Sequence, residues 1–137
     1  VDRKANFIQR DAGVNVIRIG TVASGEWIDT IRGVHWLTED MTVAIKSLLF
    51  NQKGKKIPYT NQGIAQVREV IASSLQRAVN RTFLSSYTIQ MPLLGQEGAS
   101  YQDFVDRVLR NVKFTGILAG AIHMVQVNGQ VTPPSDV

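Results

Sequence analysis

Between Thr60 and Arg81 the chain places apolar side chains three or four residues apart, at Ile64, Val67, Ile71, Leu75 and Ala78. At 3.6 residues per turn these positions form one stripe, while Gln66, Glu69, Ser73, Gln76, Arg77, Asn80 and Arg81 occupy the other faces. Thr60 is suited to open the helix, because its hydroxyl can accept from a backbone amide left unpaired in the first turn. A helix of this kind is stable only when something covers its stripe. The rest of the chain must therefore supply a second layer.

Two further helices are expected. Thr38 can cap one over 39–51, with Glu39 and Asp40 at the positive end of the dipole and Met41, Ile45, Leu48 and Leu49 at helical spacing. It runs out in the basic loop Asn51-Gln52-Lys53-Gly54-Lys55-Lys56. Ser100-Tyr101-Gln102-Asp103 has the form of a capping box, and Phe104, Val105, Val108 and Leu109 follow it, so a short helix reaching about Arg110 is expected.

The remaining segments read as strands. Val14, Val16, Ile17, Ile19 and Val22 form a β-branched run, Ala23-Ser24-Gly25-Glu26 supplies a turn, and Trp27 to Ile31 continues extended until Gly33 breaks it. Phe83 to Met91 alternates and is closed by Pro92. Phe114 to Ile122 reads as an inner strand, and Met124 to Val131 alternates again, with a turn signal at Asn128-Gly129. The expected fold class is α+β: a two-layer domain, with a mixed or antiparallel sheet covered by two amphipathic helices plus one short helix, and extended termini. The expected division is an N-terminal arm over 1–13, the domain over 14–124, and a C-terminal strand or arm over 125–137.

Composition narrows the chemistry. With 137 residues a single domain is the default. The first residue is a valine, which suggests a piece of a longer chain, and no signal-peptide pattern opens it. There is no cysteine, which excludes disulfides and thiolate metal sites. The uncharged run from Phe114 to Val131 carries His123, Gln126, Asn128, Gln130 and three glycines, a poor membrane span.

No catalytic constellation emerges. His35 has Asp29, Glu39 and Asp40 nearby in sequence but none of the spacings of a metal site, and His123 lies in an apolar strand. Ser24 is a turn residue, and Lys53-Gly54-Lys55-Lys56 lacks the pattern of a phosphate loop. Helix electrostatics accounts for the carboxylate pairs Glu39-Asp40 and Asp103 with Asp106. The expectation is a protein that is not an enzyme and uses no cofactor or metal.

Several strings, in order, resemble one family. They are Gly25-Glu26-Trp27-Ile28-Asp29, Ile31-Arg32-Gly33-Val34-His35-Trp36-Leu37, Lys56-Ile57-Pro58-Tyr59-Thr60-Asn61-Gln62-Gly63, Asp106-Arg107-Val108-Leu109-Arg110 and Leu118-Ala119-Gly120-Ala121-Ile122-His123. Over roughly 14–131 the chain resembles the C-terminal region of contractile-tail sheath and sheath-like proteins of myovirus-type phages and prophages.

The resemblance implies a virion structural protein, assembled in the bacterial host cytoplasm, whose partners are copies of itself and the phage tail tube protein. It also implies extended arms that add strands to neighbouring subunits. Val125, Gln126, Val127, Asn128, Gly129, Gln130 and Val131 are the expected inter-subunit strand, and a hairpin folding back on the same domain is the equal alternative. Arg77, Arg81, Lys53, Lys55 and Lys56 are the expected tube-facing basic residues. The formal charge of +4 leaves a second class open, a small basic nucleic-acid-binding α+β domain. Its aromatics fall mostly at core spacing, however, and are not interleaved with basic residues as a stacking platform would require.

Overall fold

The computed structural model of the chain describes residues 6–18, 20–51, 53–130 and 132. Ile19 and Val131, both part of the expected strands, lie outside the described residues. The element order is β1 (Phe7–Asp11), β2 (Val14–Arg18), α1 (Ile28–Phe50), α2 (Asn61–Asn80), β3 (Leu84–Gln90), α3 (Tyr101–Asp106) and β4 (Lys113–Leu118). β1 and β2 form an antiparallel hairpin, and β3 and β4 form a second two-stranded antiparallel sheet. The α+β class stands. No helix of the described residues is long and apolar enough to cross a membrane.

The core lies where the α2 stripe meets the sheet. Leu37 of α1, Ile71, Leu75 and Ala78 of α2, and Leu84 of β3 are buried together. Partly buried Met41, Ile45, Val67, Tyr87, Ile89 and Val112 pack around them. α1 and α2 run antiparallel, as the pairing of Asp40 with Arg77 and of Trp36 with Arg81 shows. Thr60 caps α2 as expected, its hydroxyl accepting from the Gly63 amide.

At its far end α2 stops in a Schellman motif, the Phe83 amide donating to Ala78 and the Thr82 amide to Val79. This turn delivers the Phe83 ring onto Gly33, where an added Cβ would come within 2.2 Å of a ring carbon. The Gly33 that reads as a strand break is thus a helical residue whose missing side chain lets the aromatic approach.

The beginning of α1 corrects the sequence reading. Residues 28–38 are helical, so Trp27 to Ile31 is not an extended strand, and Thr38 is not a cap. The Thr38 hydroxyl instead donates back to the Val34 carbonyl. The turn near 23–26 does form, closed by a bridge between Thr21 and Trp27, but it leads into the helix. The hairpin of this region is β1–β2, which turns at Ala12-Gly13.

α3 holds the segment that leads into β4. Ser100 and Asp103 form the expected capping box, and Asp103, nearly buried, also accepts from Arg110 at 2.6 Å. The Ser100 hydroxyl and then the Ser100 amide hold the Asp103 carboxyl below the usual carboxylate range; burial opposes them and Arg110 adds to them. A carboxylate with a folded pKa below its unfolded one stabilises the fold above the unfolded value, near pH 4, and loses that contribution as pH falls through the folded value. Asp103→Asn should therefore lower stability at neutral pH and flatten the acid limb. Urea midpoints measured between neutral pH and pH about 2 check this; acid limbs of equal slope in parent and variant would refute it.

Candidate functional site

β4 has one neighbour among the described residues, so its outer edge presents unpaired backbone groups. The inner-strand expectation is corrected here: the strand ends at Leu118, and it is an edge. Gly116 faces Leu84 at the strand's centre. The register includes Ser86 opposite Ile117 and Gln90 opposite Lys113, with an irregularity between Leu84 and Ser86.

Beside this edge runs an apolar trench. One part, about 450 Å³, lies between Val34, Leu37, Met41 and Ile45 of α1 and Phe114, Gly116 and Leu118 of β4. A second part, about 500 Å³, continues past Ile45 and Leu49 to the wall formed by Ile57-Pro58-Tyr59 and Val108 to Val112. Ile45 lines both. From Val34 to Leu49 the trench follows α1 for about 22 Å at 1.5 Å per residue. A strand of six or seven residues at about 3.3 Å each is of that length.

The far wall is fixed by Tyr59, whose hydroxyl donates to the Val108 carbonyl at 2.8 Å and whose ring meets Phe104 edge to face. Desolvation raises the Tyr59 pKa, which keeps the hydroxyl a donor.

Val125 to Gln130 form no strand or turn, and every one of them is exposed. Gly129 does not have a positive φ, and the hairpin suggested by Asn128-Gly129 is absent among the described residues. In an extended chain Val125, Val127 and Gly129 share one face, and Gln126, Asn128 and Gln130 the other.

The five basic residues do not form one patch. Lys53, Lys55 and Lys56 are exposed in the loop joining the helices. Arg77 and Arg81 stand at the opposite end of α2, about 24 Å from its first residue. Arg77 pairs with Asp40 at 2.7 Å and also donates to Ser74, while Arg81 lies over the Trp36 ring at 4.4 Å. Hydrogen bonding from Arg77, opposed by burial, holds Asp40 below the usual carboxylate range. Asp40 is therefore an interhelical partner in mid-helix, which replaces the capping role expected for it.

Neither histidine sits in a cluster of metal-binding type among the described residues. His35 is exposed on α1, and His123 rests against the Trp27 ring at 4.6 Å between centroids. Sequence reasoning missed both that contact and the trench. The continuation of the α1 stripe back through Leu37 and Val34 was the signal that could have revealed the trench.

Residues 28–87 match the family model of the E217 tail sheath protein gp31-like, C-terminal domain. The matched stretch contains the strings Ile31 to Leu37 and Lys56 to Gly63, while Asp106 to Arg110 and Leu118 to His123 lie outside it. No curated protein matches the chain at a significant level. Through α1, α2 and the first half of β3, this chain is similar to a phage tail sheath C-terminal domain.

Proposed function

We propose that the chain is a self-assembling subunit of a contractile tail sheath, built around the tail tube by exchange of strands between copies. The tail sheath family is structural, so side chains need break no bonds. One juxtaposition carries the finer reading: an open β4 edge beside an apolar trench, in a chain whose own alternating arm stands exposed. A strand added to β4 gains main-chain hydrogen bonds, and every second side chain points into the trench. Val125, Val127 and Gly129 fit that inward face, with the amides of Gln126, Asn128 and Gln130 outward.

In this reading Lys53, Lys55 and Lys56, with whatever charge Arg77 and Arg81 retain beyond their internal partners, face an acidic tube. Such attraction between exposed charges is screened over about 10 Å at 0.1 M salt. Assembly takes place in the host cytoplasm, and the product is a component of the virion.

Removing residues 125–137 tests the proposal. The truncated chain should melt at an unchanged temperature, because none of the described residues removed is buried, and it should fail to form rings or tubes under negative-stain microscopy. Assembly at the parental level, or a truncated chain that no longer folds, would overturn strand donation.

A further inference from the structure

We infer that the root of the C-terminal arm, Leu118 to His123, is a steering device that carries the arm away from its own β4 edge and so leaves that edge open to a second copy. The inference rests on the strand-donation reading.

Three observations converge on it. The Ala119 amide donates to the Phe83 carbonyl at 3.0 Å, so the chain is still on the β3 side of the sheet when β4 ends. Gly120 then takes a φ of +73°, a left-handed turn that glycine adopts without steric cost. Around this turn Leu118, Gly120 and Ala121 line a cleft with Asp29, Thr30 and Arg81 to Phe83, and beyond it His123 settles on Trp27.

This path crosses the start of β3 toward the entrance of α1. A return along the outer edge of β4 would need the opposite direction. The Trp27–His123 contact is the arm's last ring contact or hydrogen bond among the described residues, although His123 is itself exposed. His123 and Trp27 are positioning residues: they decide which edge Val125 to Gln130 can reach.

The absence of cysteine makes a cross-linking test clean. In the chain carrying Thr115→Cys and Gln126→Cys, oxidation should give bonds between subunits, seen as dimers and higher species on a non-reducing gel. Adding His123→Ala should move at least about half of that product into bonds within one subunit, and His123→Phe, which keeps a ring on Trp27, should restore the parental pattern. Independently, Trp27 emission in a Trp36→Phe background should change on His123→Ala, with the urea midpoint unaltered. An equal share of intersubunit product with and without His123→Ala overturns the steering role. Intersubunit product missing from every background overturns the donation reading, and the steering role with it.

Discussion

Leu75→Ala should cost about 3 to 4 kcal/mol of folding stability, a large part of what a domain of this size has to lose. Leu75 is wholly inaccessible to solvent, at the centre of a cluster with Leu37, Ile71, Ala78 and Leu84. Few apolar residues are buried among the described residues, so few neighbours can collapse into the space left behind. The loss combines the transfer free energy of the deleted carbons with an unfilled cavity. With a urea dependence of roughly 1 to 1.5 kcal/mol per molar for a small domain, the unfolding midpoint should fall by about 2 to 4 M. Val43→Ala, on the exposed face of α1, should change the folding stability by less than about 0.5 kcal/mol. Similar shifts for the two variants would mean that the α2 stripe is not the centre of the fold.

That centre is also the part most legible in the sequence. Ile64, Val67, Ile71, Leu75 and Ala78 repeat at helical spacing, and the caps at Thr60 and Ser100 are local hydrogen-bond chemistry that sequence expresses directly. The first eleven residues of α1 were not legible. Ile28, Thr30, Ile31 and Val34 are β-branched and Gly33 is a poor helix former, so local preference points to a strand. The helix prevails through contacts far along the chain: Phe83 fills the space over Gly33, and Arg77 meets Asp40. The trench was hidden for the same reason, since α1 and β4 form its walls and lie more than sixty positions apart. The arm's alternation could be read, but alternation alone does not say which edge, in the same subunit or in another copy, a strand would pair with.

Gly63→Ala should destabilise the domain by about 2 to 3 kcal/mol, although alanine is the better helix former by about 1 kcal/mol in a helix interior. A Cβ at this position would lie 1.9 Å from the Pro58 carbonyl oxygen and 3.1 Å from the Ile57 side chain. Neither obstacle can rotate aside at low cost, because the first is backbone held by a proline ring and the second lines the trench. The helix start and the 57–59 segment must therefore separate, which strains the Thr60 cap and pulls Tyr59 from Val108. Since Pro58, Tyr59 and Gly63 all line the trench, the damage should extend beyond stability. Folded Gly63→Ala subunits, studied well below their melting temperature, should assemble less than the parent. Gly129→Ala provides the contrast, since it meets open space at an ordinary φ and should leave the urea midpoint unchanged. If Gly63→Ala proved neutral or stabilising, the close approach of α2 to Pro58, and with it the rigid end of the proposed acceptor groove, would have to be abandoned.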